Sequence, residues 1–226
     1  MRPTTTLHRI DRQLSLGELA YSALKEAMLR GQFLAGQKLT VRTVAQALSI
    51  STTPARDAIM RLIGEGLLVN AGPKTVIVPS LSLAALNEVT SIRLSLERLA
   101  AGVAAERMAS DSVEALKRLQ LRSTTTLGPP NGTAALMADK AFHFLVYETA
   151  QMPRLVTMID SLWMRIWPLL GEHNSKVDER RADAVNHMEA IAGLESRDKA
   201  RVQAAIEKDI KDGYHRLVKR IKQHQT

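Results

Sequence analysis

From Leu83 to the C-terminus, every long stretch of this 226-residue chain repeats its apolar residues with a helical period. The larger part of it is therefore read as packed helices. The pattern breaks near residues 109–112, at 127–133, near Pro153, at 171–176 and at 195–198, which divides this part into about six helices. Composition agrees: aromatic residues make up 4%, with 12 Gly and 8 Pro, too few ring and turn residues for a β-rich chain. With 45% hydrophobic and 24% charged residues, neither a disordered nor a fibrous chain fits. The absence of cysteine excludes a disulfide scaffold, thiolate-ligated zinc and a thiol nucleophile. No stretch approaches 18 consecutive apolar residues, and the first 15 residues lack the apolar core of a secretory signal. The expectation is a soluble, cytoplasmic protein with no membrane partner.

The N-terminal third is patterned differently. In LGELAYSALKEAMLRG, Leu16, Ala20, Ala23, Leu24, Ala27 and Met28 share one helical stripe that Gly31 ends. Thr40 can cap a short helix, VRTVAQALS, that buries Val44, Ala45 and Leu48. A third helix opens with Ser51, Thr52 or Thr53 as its cap and Pro54 in its first turn, where a missing N–H costs nothing. Its buried face is Ile59, Leu62 and Ile63. Two short β-prone runs then flank Asn70, Ala71, Gly72 and Pro73, a hairpin pattern.

Three short helices followed by a two-stranded wing make a winged helix-turn-helix, which places its second paired helix in the DNA major groove. Here that helix opens with three hydroxyls and presents Arg56, groups suited to phosphates and base edges. Capping and plain solvation are the alternative roles for the same side chains. Charge points the same way as the pattern. The net charge is +8, and residues 1–80 hold 10 basic against 5 acidic residues, the denser positive charge in the chain.

The stretch LTVRTVAQALSISTTPARDAIMRLIGEGLLV resembles the winged helix of the GntR family of bacterial transcription regulators, matching at Leu39, Ala45, Leu48, Ser51, Thr53, Pro54, Arg56, Ala58, Leu62, Gly66 and Leu67. The resemblance implies that Arg42, Ser51, Thr53, Arg56 and Gly72 lie at the DNA. Thr52 stands where the family commonly has Arg, so a shorter hydroxyl replaces one guanidinium. Lys74 joins the set for its charge beside the wing tip.

In the helical part, ionisable residues interrupt apolar stripes. Arg93 shares a face with Leu86, Val89, Leu96, Ala100 and Val103. Asp139 and His143 are neighbours at i,i+4 beside Phe142 and Val146. His187 sits among Ala184, Met188, Ile191 and Leu194, and Asp209 interrupts the stripe Val202, Ile206, Gly213, Leu217, Ile221. Buried charges must meet one another, water, a metal or a ligand. Four helices directing such groups inward therefore point to a pocket, of the kind helical bundles build from facing helices. His8, His173, His215 and His224 lack this placement and read as surface residues. Trp163 and Trp167, one turn apart, read as packing before pocket wall.

This half resembles the all-helical FCD effector domain of the FadR-like subfamily, through Arg93 with Glu97, Asp139 with His143, and His187. Asp209 falls where that pattern has a further histidine. The resemblance implies an effector site of Arg93, Asp139, His143, His187 and Asp209. It also implies a metal set of Asp139, His143, His187 and Asp209 for Zn, Ni or Mn. The carboxylate in place of an imidazole admits a salt bridge instead. Arg93 is the expected partner of a small carboxylate effector.

The reading is thus mostly α: a winged helix-turn-helix over residues 1–80, with 1–14 expected to be flexible, and a helical ligand-binding and dimerisation domain over 81–226. The expected function is transcription regulation by a homodimer on a double-stranded DNA operator. With no activated nucleophile, HExxH motif or Gly-rich phosphate loop in sight, an enzyme is not expected. A hydrolase using the Asp/His cluster and an architectural DNA binder without effector are the competing classes.

Overall fold

The computed structural model describes residues 14–125, 132–171 and 177–223. Residues 1–13 of the segment 1–14 expected to be flexible, 127–131 of the 127–133 break and 172–176 of the 171–176 break, together with His8, His173 and His224, lie outside them.

The N-terminal unit consists of α1 (Leu16–Leu29), β1 (Lys38–Thr40), α2 (Val41–Ala47), α3 (Thr52–Gly64), β2 (Val69–Gly72) and β3 (Thr75–Ile77). Local chemistry sets its helix ends. Ser15 and Glu18 close a reciprocal capping box on α1, and Thr40 and Thr43 close one on α2. Gly31, at φ +69°, turns the chain away after α1. Leu24, Ala55, Ile59, Leu62 and Leu68 fill the core between these helices and the sheet.

Two positions depart from the sequence reading. Leu16 is 58% exposed, whereas Tyr21 is buried, its hydroxyl donating to Glu65 and its ring beneath the Arg61 guanidinium at 3.8 Å. The wing also gains a strand: the sheet order is β1–β3–β2, antiparallel throughout, with Leu39 opposite Val76. Three residues leading straight into a helix cap are too short for a strand pattern to register.

Among the described residues the C-terminal unit is six helices: α4 (Leu83–Arg107), α5 (Ser110–Thr125), α6 (Gly132–Thr149), α7 (Pro153–Gly171), α8 (Val177–Glu195) and α9 (Lys199–Gln223). Ser82 caps α4 by accepting from the Ala85 amide. Phe142, Val146, Tyr147, Ile159, Trp163, Ile191, Leu194 and Ile206 form the centre of its core. Met188, placed by the stripe near that core, is 54% exposed.

The turn between α8 and α9 is tight. A Cβ on Gly193 would lie 2.7 Å from Val202 Cγ2 and 3.0 Å from the Val202 backbone nitrogen. Gly193→Ala is therefore expected to destabilise the protein by about 1–3 kcal/mol, read as a lower denaturant midpoint at unchanged slope. An unchanged midpoint would mean that the turn opens without cost.

Candidate functional sites on the wing groove and in the helical core

The first site is a groove of about 580 Å³ between α3, the start of α2 and the wing. Arg42, Thr52, Arg56, Gly72 and Lys74 all line it, so five of the seven sequence-named residues converge from three elements. Ser51 and Thr53, also exposed, flank Thr52 at the start of α3. Ser51 is the N-cap residue by position, yet its side chain makes no capping hydrogen bond. The hydroxyl is thus not spent on the helix end.

Arg42, Arg56 and Lys74 are exposed and form no ion pair among the described residues, whereas Arg61, on the same helix as Arg56, pairs with Glu65. Unpaired cations on one concave face, beside hydroxyls and backbone, match what a phosphate-lined duplex needs. Asn70 and Met60 are among the lining residues that sequence does not single out for this face. Asn70 reads only as a turn former, and Met60, 58% exposed on α3, breaks the rule that long apolar side chains turn inward.

The second site lies inside the helical unit. His143 and His187 are almost fully buried, with their Nε2 atoms 3.2 Å apart. Asp209 approaches His143 Nε2 at 3.3 Å and His187 Nε2 at 3.9 Å. Asp139 stands 3.5 Å from His187 Nε2. The four residues that the stripes directed inward, from three helices, thus face a common point. Phe142 stacks on His187 with ring centroids 4.0 Å apart.

Hydrogen bonds fix which nitrogen of each imidazole looks at that point. Gln120 Oε1, which can only accept, is 2.6 Å from His187 Nδ1, so Nδ1–H donates to it. Tyr147 donates its hydroxyl proton to Glu97 at 2.5 Å, leaving the phenol oxygen to accept from His143 Nδ1, 3.1 Å away. Both Nε2 lone pairs then point at each other and at two carboxylates. Such an arrangement requires a cation. A proton meets the need: burial pulls the His143 imidazole down, but the hydrogen bond and charge of Asp209, with Asp139 and Glu97, outweigh it and lift the pKa to about 9. Burial raises Asp209, and the same imidazole, His187 and Arg216 pull it far below the usual carboxylate range. His187 moves down, because burial prevails over its two carboxylate neighbours.

A divalent metal meets the same need. Asp139, His143 and His187 each offer a ligand atom, all within 4.8 Å of one another. Two imidazole nitrogens whose far sides are already held by Gln120 and Tyr147, with carboxylates beside them, fit a first-row metal.

Arg93 points into the core and pairs with Glu97 one turn on along the same helix. Its Nε lies 2.6 Å from Glu97 Oε1 and its Nη2 3.3 Å from Oε2, a fork closed on a fully buried carboxylate. Glu97 also accepts from Trp163 Nε1 at 3.1 Å. The guanidinium lies 4.6 Å above the Trp163 ring. Trp163 belongs to the cluster, its ring 5.2 Å from His143, while Trp167 reaches elsewhere. Tyr147 extends the i,i+4 series of Asp139 and His143 and was legible on that ground; Gln120 carried no signal.

Comparison with known proteins matches residues 16–76 to the bacterial regulatory proteins of the gntR family and residues 88–212 to the FCD domain. The HTH-type transcriptional regulator McbR of Escherichia coli (strain K12) is 27% identical over 178 residues, covering 78% of this chain and 80% of McbR. The Nta operon transcriptional regulator of Aminobacter aminovorans is 27% identical over 134 residues, 59% of this chain and 63% of that protein. Among solved structures, E. coli McbR/YncC superposes with a TM-score of 0.85 at 24% identity, covering 92% of this chain and all of that one. The transcriptional regulator GntR from Rhodococcus sp. RHA1 gives 0.75 at 19% identity over 91% of this chain and 98% of that one.

Proposed function

The chain belongs to the GntR family of bacterial regulatory proteins and carries an FCD domain, and from that premise we propose that a small organic acid, seated on a divalent cation in the helical core, sets its affinity for an operator. It is a transcriptional regulator; its family and the relatives it matches are regulators and not enzymes. No described helix is long and apolar enough to cross a membrane.

Residues 1–80 form the DNA-binding module in this reading. Arg42, Arg56 and Lys74 meet phosphates or guanine edges, Ser51, Thr52 and Thr53 meet phosphates and bases, and Gly72 lets the wing backbone approach closely. Residues 81–226 sense and dimerise, so that two recognition helices read a near-palindromic cytoplasmic operator. Asp139, His143, His187 and Asp209 hold the cation, Zn, Ni or Mn. When bound, it would supply a positive seat for a carboxylate beside Asp139 and Asp209, which by themselves would repel one. Arg93 contributes by neutralising Glu97 behind that pocket. The observation that carries this reading is the convergence of both His Nε2 atoms with two carboxylates on one buried point.

Calorimetry and thermal shift with ZnCl2, NiCl2 and MnCl2, followed by organic acids added to the metal-loaded protein, test it. A ligand at 100 times its Kd should stabilise the folded state by about 2.7 kcal/mol. His143→Ala should abolish the response, and Asp209→His should strengthen Zn binding. Absence of any response to all three cations and to every acid would leave a DNA binder without an effector.

A further inference from the structure

One helix is built into both halves of the molecule. Met164 of α7 is buried in the core of the winged helix, whereas its neighbour Trp163 is buried in the helical core and bonded to Glu97. The same helix holds the ends of two helices of the N-terminal unit. Trp167 Nε1 donates to the carbonyl of Leu29, 2.7 Å away, the last residue of α1, where a helix has no intrahelical donor to offer. Arg165 Nη2 reaches the carbonyl of Glu65, the C-cap of α3, at 3.4 Å. Its guanidinium occupies the space that a Cβ on Gly66 would enter, 3.1 Å from that position, and Gly66 is at φ +73°.

Asp160 completes the connection. Its Oδ2 is 2.6 Å from Lys25 Nζ on α1, and its Oδ1 is 2.7 Å from Lys140 Nζ on α6. All three side chains are at least three-quarters buried, so this bridge is less screened than a surface pair. Lys140 adjoins Asp139 and lies one turn before Phe144, over whose ring its ammonium sits at 4.7 Å. A displacement of α6 at Asp139 or His143 thus reaches α1 through one carboxylate.

We infer that Asp160 and Trp167 on α7 couple the state of the buried Asp/His cluster to the placement of α1 and α3, making α7 the transmission element between effector site and DNA-reading face. The inference rests on the cluster being a ligand site for its biological meaning, but the mechanical connection is separately measurable. A ligand shifts the DNA-binding unit only if it favours one of two arrangements of this junction.

The experiment is amide hydrogen exchange on the full chain, comparing Tyr147→Phe, which disturbs the cluster, in the wild-type and Asp160→Asn backgrounds. The expected result is that Tyr147→Phe changes exchange in residues 16–29 and 52–64 by about fivefold in the wild-type background and by less than about twofold in the Asp160→Asn background, where Trp167 alone carries the connection, while α4 and α6 respond in both. Lys25→Gln replaces Asp160→Asn should the latter fail to fold. An equal response of α1 and α3 in both backgrounds, or none in the wild type, overturns the inference. A parallel ZnCl2 titration separates the two readings. If Zn alters exchange nowhere, the ligand-site reading fails, and the Tyr147→Phe comparison still decides the junction.

Discussion

Glu97→Ala is expected to cost about 3–5 kcal/mol of folding stability, the range for breaking a buried ion pair by removing one partner. Glu97 is fully buried and accepts from Arg93, Tyr147 and Trp163. Truncation leaves a guanidinium without its counterion and two donors without an acceptor in a site that excludes water. The hydroxyl of Tyr147 would turn elsewhere, releasing His143 from its present orientation. The double variant Arg93→Met/Glu97→Leu should be far less damaging than the two single changes summed, because it removes both charges at once. Urea unfolding at constant slope measures all three. A loss under about 1 kcal/mol for Glu97→Ala would mean that Arg93 finds another counterion, and the buried support for His143 would have to be reassigned.

The second large effect concerns the groove. Arg42→Ala and Arg56→Ala should each weaken binding to a duplex selected by the wild-type protein by about 1–3 kcal/mol, roughly tenfold to a hundredfold. Each should also reduce the slope of log affinity against log salt by about 0.9 for every phosphate that the variant no longer neutralises. Arg61→Ala is the internal control. Arg61 is already paired with Glu65 and stacked on Tyr21, so its removal should leave the slope unaltered. Unchanged affinity and slope for both Arg42 and Arg56 would remove them from the interface.

These two expectations draw on information of different visibility. The groove was legible because its parts are local: a cap, a stripe and a turn each span a few residues, and a known arrangement relates them. The Asp/His cluster was legible for the same reason, since periodicity puts Asp139 and His143 on one face and marks His187 and Asp209 as polar interruptions. What periodicity cannot convey is the partner across space. Gln120 meets His187 over 67 residues of sequence, and Trp167 meets Leu29 over 138. Arg93 shows the limit most clearly. Its inward direction was correctly read, and Glu97 was visible one turn on, but the choice between a ligand and that neighbour depends on the surrounding burial. The added strand β1 failed for lack of length, and Leu16 and Met188 because a stripe's edge is set by neighbouring helices that the pattern does not contain.

The placement of the tryptophans has a spectroscopic consequence. The chain holds two, Trp163 and Trp167, and they terminate opposite ends of the same connection, one on the carboxylate behind the buried histidines and the other on the last carbonyl of α1. The indole emission of the native chain is therefore a built-in two-channel optical gauge. A Trp167→Phe variant leaves the indole beside Glu97 as the reporter, a Trp163→Phe variant leaves the indole on the end of α1, and neither needs an attached dye.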